Sequence, residues 1–124
     1  MKINKTIFLF ITLILFQYLL DRLTNNCETM KGEIYLFIHH IISIYIIFGG
    51  ILFNPLYHLI VIILVLIHWF TNNNVCEIST ITNNHCQFKE TKKFRDIFYF
   101  ANINKNTLYL LLIIIIGYDI YKLF

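Results

Sequence analysis

The fold this sequence predicts is an all-α integral membrane bundle of about four transmembrane helices, with an amphipathic interfacial helix in a long polar loop. Three observations predict it. Apolar residues make up 58% of the 124-residue chain. Charged residues make up only 14%, against roughly 25% in a soluble domain. Four long apolar runs are separated by polar stretches, and mean hydropathy is +0.68. A chain this small has much surface for its volume, and so few charges cannot solvate it. The excess apolar surface therefore faces lipid. The length suits one domain, residues 1–124, rather than two.

The first run covers residues 7–23, preceded by Lys2 and Lys5 and closed by Asp21 and Arg22. A basic start and an apolar core also fit a secretory signal peptide. However, residues 17–22, Gln-Tyr-Leu-Leu-Asp-Arg, offer no small-residue cleavage site, so the run reads as an uncleaved span. The second and third spans are residues 34–50 and 55–70. Between them Gly49-Gly50 and Asn54-Pro55 have the chemistry of two helix ends. Glycine tolerates the conformation that closes a helix, asparagine caps the next one, and proline fits its first turn. A tight helical hairpin is expected, each arm about 15 residues or ~23 Å long. The fourth span is residues 107–123, with Tyr118, Asp119, Tyr121 and Lys122 as a polar and aromatic band and an Asp119–Lys122 pair across one helical turn. Helices are expected throughout, because lipid leaves unpaired backbone groups without partners and continuous Ile/Leu runs lack the alternation of a barrel.

Residues 71–106 form the polar loop. Within them residues 88–101 read as an amphipathic helix, Phe94, Ile97, Phe98 and Ala101 on one face and Lys89, Lys92, Lys93 and Asp96 on the other, suited to lie along the headgroups. Four spans put both termini on one side and the loops on the other. The loop side holds Cys27, Cys76 and Cys86 and seven of the ten basic residues. That count makes it cytoplasmic by the positive-inside rule, while the purely basic flank before the first span argues the opposite. Orientation stays open at this point. In an oxidising compartment Cys76 and Cys86 are expected to form a disulfide, leaving Cys27 over; in a reducing one the thiols persist and metal binding gains weight.

Histidine is the one residue type that suggests chemistry. His39 and His40 lie early in the second span, His68 ends the third, and His85 adjoins Cys86. With Cys76 and Cys86 these are the candidate metal ligands, since imidazole and thiolate suit zinc or copper and two facing histidines suit haem. The spacing matches no ligand motif, so interfacial or packing roles weigh more, and no cofactor is expected. His58 falls outside this group. Ser43 lies one helical turn after His39, but no carboxylate in either span is placed to orient the imidazole, and hydrolysis is disfavoured. Few polar residues line a pore-like stripe, which argues against a channel. The net charge of +3 is spread along the chain, which argues against nucleic acid.

The run His39-His40-x-x-Ser43, Gly49-Gly50, His58, His68-Trp69-x-x-Asn72-Asn-Asn-x-Cys76, Cys86 and Phe94-Arg95-Asp96 resembles a family of small uncharacterised multi-pass membrane proteins of giant DNA viruses. The A/T-rich codon bias behind the abundant Ile, Phe, Tyr, Asn and Lys is compatible with such a source. The resemblance covers about residues 35–100. It implies a host or virion membrane as the setting and brings no activity with it. The expected function is that of a non-enzymatic membrane component whose partners are the bilayer and a membrane protein or a second copy. The alternative is a metal- or haem-binding redox protein using the His/Cys cluster.

Overall fold

The computed structural model describes residues 4–88 and 101–124. All regular structure among them is helical: α1 (Lys5–Arg22), α2 (Met30–Leu52), α3 (Pro55–Thr71), α4 (Glu77–Cys86) and α5 (Lys105–Leu123). The amphipathic helix expected at residues 88–101 lies outside the described residues, save at its two ends. Helix α2 is the hub and packs on α1, α3, α4 and α5, while α3 also packs along α5.

Among the described residues two helices, α2 and α5, are long and apolar enough to cross a membrane. At 1.5 Å per residue they reach about 35 and about 29 Å, against a hydrocarbon core of about 30 Å. Helix α3 is apolar but shorter, 17 residues. Helix α1 carries Lys5, Asp21 and Arg22 within its 18 residues. The all-helical reading therefore stands, and the number of helices that meet the spanning criterion is lower than expected.

The hairpin between α2 and α3 differs from expectation at its first half. Gly49 and Gly50 do not close α2; the helix runs through them to Leu52. Neither glycine has a positive φ. Their role is close approach. A Cβ on Gly49 would press on the His58 ring, and one on Gly50 would overlap Asp119 Oδ1. The second half is as expected: the Asn54 side chain accepts from the Leu56 N–H and Pro55 opens α3. Other caps follow the same rule, Asn4 accepting from Thr6, Thr29 from Gly32 and Asn104 from Thr107.

The polar stretch after α3 also departs from a plain loop. Asn73 and Asn74 take left-handed φ values of 52° and 58°, a conformation asparagine tolerates better than other side chains. The Asn74 N–H then returns to the Trp69 carbonyl at 2.6 Å and turns the chain out of α3. The second Thr-Asn-Asn stretch is helical, within α4. Glu77 in its first turn and His85 in its last suit the helix dipole. Ile78, Thr82 and Cys86 are four residues apart and so share a face, of which Thr82 and Cys86 are buried. The Thr82 hydroxyl is satisfied by the Ile78 carbonyl at 2.7 Å.

A disulfide joins Cys86, the last residue of α4, to Cys27 in the α1–α2 connection. This corrects the expected Cys76–Cys86 pair. The reason is the helix between those two residues. Cys76 is the N-cap of α4 and Cys86 its last residue, so the rise along the axis separates them by about 15 Å, well beyond the roughly 5–6 Å Cα spacing of a disulfide. Gly32 makes room for the bridge, since a Cβ there would meet both sulfurs. The Thr29 hydroxyl adds a hydrogen bond to the His85 carbonyl at 2.8 Å.

Burial is inverted relative to a water-soluble domain. Gln17, Asp21, Asn25, His40, Ser43, His58, Thr82 and Asp119 are buried. Phe8, Phe16 and Leu19 of α1, Leu64 and Phe70 of α3, and Ile113 and Ile114 of α5 are each about 60–70% exposed.

Candidate functional site

Among the described residues, three polar centres occupy the bundle, and between them they hold His39, His40, His58 and His68. The first staples α1 to α2. His40 donates from Nε2 to Asp21 Oδ2 at 2.9 Å, and its Nδ1 accepts from the Gln17 amide at 2.6 Å. Asn25 Nδ2 completes the carboxylate by donating to Oδ1 at 2.8 Å. Asp21 and His40 are both wholly buried. At the rim of this seam Arg22 pairs with Glu33, whose other oxygen accepts from the Tyr18 hydroxyl at 2.8 Å.

The second centre ties α3 to α5 and to the middle of α2. His58 donates from Nδ1 to Asp119 Oδ2 at 2.7 Å. Its Nε2–H is shared between the carbonyls of Tyr45 at 2.9 Å and Ile46 at 3.1 Å. Those carbonyls lie one turn before Gly49 and Gly50. The missing Cβ atoms leave them open to the imidazole, which is why two glycines stand inside α2. Nε2 faces only carbonyl acceptors and Nδ1 faces the carboxylate, so both ring nitrogens have a partner inside the bundle. Such a pair is how an apolar medium tolerates ionisable side chains. Asp119 therefore does not pair with Lys122 as the sequence spacing suggests; Lys122 instead sits 5.9 Å from the centre of the Tyr118 ring.

The third centre lines a cavity of about 850 Å³ between α2, α3, α4 and the start of α5. His39, Ser43, His68, Cys76, Ser79 and Lys105 supply its polar wall; Ile46, Val61, Val65 and Leu108 contribute to the rest. Cys76 is the free thiol. It takes the N-cap position of α4 without a side-chain capping hydrogen bond, so the sulfur stands at the positive end of the helix dipole. Burial pushes the thiol up. The hydrogen bond to His39, the Ser79 amide, the charge of His39 and the Ser79 hydroxyl together outweigh it, and the net effect brings Cys76 from 9.0 down to about 7. A helix N-terminus and a nearby imidazole are the usual causes of a depressed thiol pKa. His39 itself is placed by the Ser43 hydroxyl, 3.5 Å from Nε2, which donates in turn to the His39 carbonyl at 2.9 Å. His68 Nε2 accepts from the Glu77 N–H at 3.3 Å.

Alkylation of the detergent-solubilised protein by iodoacetamide should follow a thiolate titration with its midpoint near pH 7, the value at which Cys76 ionises. His39→Ala removes the imidazole's hydrogen bond and its charge and leaves Ser79 alone to oppose burial, so its midpoint should move upward. An unchanged profile in that variant would show that the imidazole does not act on the sulfur.

Of the six candidate ligands, His39, His68 and Cys76 share the cavity. His40 is consumed by Asp21 and Gln17, Cys86 by the disulfide, and His85 stacks on Tyr35 with ring centres 5.6 Å apart. Among the described residues, no group of three His, Cys, Asp or Glu side chains is placed to hold a metal ion. Sequence reasoning passed over Gln17 and the partner roles of Asp21 and Asp119. It had one usable signal, that a carboxylate inside an apolar run needs a partner.

No protein-family model, curated protein or solved structure matches the chain.

Proposed function

We propose that the chain is a multi-pass integral membrane component without enzymatic activity of its own, crossing the bilayer four times through α1, α2, α3 and α5. The observation that supports this most is the inversion of polarity. Carboxylates, imidazoles and amides are paired inside the bundle while Phe, Leu and Ile side chains cover its outside. Water would favour the reverse, whereas lipid favours it as it stands. Helices α1 and α3 are then as much part of the membrane body as α2 and α5, since each carries one half of a buried polar pair.

The Cys27–Cys86 bridge favours an oxidising compartment on the α4 side, with the basic N-terminal flank on the cytoplasmic side. The resemblance to small membrane proteins of giant DNA viruses makes a host or virion membrane the proposed setting. The exposed aliphatic faces of α1 and α5 are suited to lipid and to another membrane protein or a second copy of the chain.

One experiment tests both membership and sidedness. Sealed membranes from expressing cells are washed with alkaline carbonate, and a membrane-impermeant maleimide is applied to intact vesicles of known orientation. The protein should stay in the pellet and Cys76 should label from the exterior or lumenal face alone. Release as a water-soluble monomer ends the membrane reading; labelling only from the cytoplasmic face reverses the orientation.

A further inference from the structure

The cavity beside Cys76 differs from the other two polar centres in having room. The Asp21–His40 and His58–Asp119 pairs are wholly buried, whereas the third centre opens onto about 850 Å³. Ligand cavities for small molecules run from roughly 300 to 1,000 Å³. Its lining runs along α3 from Val61 to Trp69 and along α2 from His39 to Ile46. At 1.5 Å per residue that is a slot about 10–12 Å long, with Ile46, Val61 and Val65 toward one end and Cys76, His39, His68, Glu77 and Lys105 toward the end beside α4. A slot of this polarity in a body immersed in lipid has one abundant occupant of matching chemistry, the acyl chain of a membrane lipid with its ester at the polar mouth. A lipid whose first several acyl carbons lie along the aliphatic lining would have its ester at the polar end, beside Cys76.

The geometry points to Cys76 as an acyl-acceptor site: the slot takes the acyl chain of a membrane glycerolipid, and the thiol of Cys76, with His39 as its proton carrier, accepts that acyl group as a thioester. This rests on the membrane reading above. The step balances without a further reactant. His39 takes the thiol proton, and the sulfur attacks the ester carbonyl. The new S–C bond forms as the C–O bond to glycerol breaks, and the imidazolium returns the proton to the leaving glycerol oxygen. The products are the acylated protein and a lysolipid, formed once per chain, so the step is a self-modification without turnover. A thioester is less stable than an oxygen ester, but lipid in large excess over the lysolipid released draws the exchange forward. The modification would add a covalent chain seated inside the protein. It also explains why this thiol is kept apart from the disulfide at the other end of α4.

The test uses the full-length protein reconstituted in phosphatidylcholine vesicles whose acyl chain ends in an alkyne. Wild type should acquire an alkyne label that neutral hydroxylamine removes. Cys76→Ser should acquire no hydroxylamine-labile label. His39→Gln should label at least about a hundredfold more slowly, the usual scale of losing a general acid–base group. Val65→Trp, which fills the slot, should lose the label while its Cys76 keeps the wild-type rate with iodoacetamide. Reconstituted wild type whose Cys76 alkylates normally but gains no labile label overturns the proposal. So does equal labelling of Val65→Trp, because the chain would then not lie in the slot. Failure of the membrane reading would look different, as protein that never enters the vesicles.

Discussion

Replacing Asp119 with alanine should cost the bundle about 3–5 kcal/mol, the usual loss when one member of a buried charged pair is removed. The size of the effect comes from what is left behind. His58 is wholly buried, its Nε2–H is fixed on the Tyr45 and Ile46 carbonyls, and Nδ1–H would face an empty space. A buried ring nitrogen would then lie inside the bundle without its partner. The double variant His58→Leu/Asp119→Ala should be less destabilised than Asp119→Ala alone, because replacing both members of a buried pair with apolar groups removes the desolvation cost together with the attraction. Equilibrium unfolding in mixed detergent micelles measures all three proteins. A single variant as stable as wild type would mean that the pair does not join α3 to α5. A double variant worse than the single would mean that the hydrogen bonds to α2 carry the stability instead.

Loss of the Cys27–Cys86 disulfide should be of similar size. The bridge closes 59 residues of chain, and the loop-entropy model assigns a closure of that length about 4 kcal/mol. It encloses all of α2, α3 and α4 between the end of α1 and the end of α4, so its loss loosens the seat of α4 on α2. The double variant Cys27→Ala/Cys86→Ala should unfold at correspondingly lower denaturant, whereas Cys76→Ala should cost about 1 kcal/mol or less. Peptide mapping without reductant should recover residues 27 and 86 in one cross-linked fragment. A fragment linking Cys76 to Cys86 would contradict the helical form of α4, since a ten-residue helix holds those sulfurs too far apart to bond.

Much of the secondary structure is legible in the chain. The four apolar runs fall on α1, α2, α3 and α5, and Asn54-Pro55 marks the start of α3 because both the cap and the fixed proline φ are local properties. The glycine pair at residues 49 and 50 shows where local reading stops. The same residue serves to end a helix or to admit a neighbouring side chain, and only the position of His58 and Asp119 against α2 separates the two. Helix α4 was hidden for a similar reason. Thr, Asn, His and Cys are indifferent helix formers, and it is packing of Ile78, Thr82 and Cys86 on α2, with a disulfide at the end, that makes the segment helical.

The candidate site was half visible. His39, His68 and Cys76 could be named from the sequence as a polar cluster at one end of the bundle, because helix register fixes depth along an axis. Which of them touch could not, because register says nothing about rotation between helices. The side chains sharing one depth, His39 and His40, are adjacent in sequence yet point into different seams, one toward Cys76 and one toward Asp21.

By itself, then, the sequence determined the element type: long apolar runs, low in charge, whose backbone is satisfied within each helix. The tertiary structure alone decided the partners: Asp21 with His40, His58 with Asp119, Cys27 with Cys86 and His39 with Cys76. Each of these joins residues from different elements, and such pairs are set by how the helices turn against one another, a property that no single segment carries.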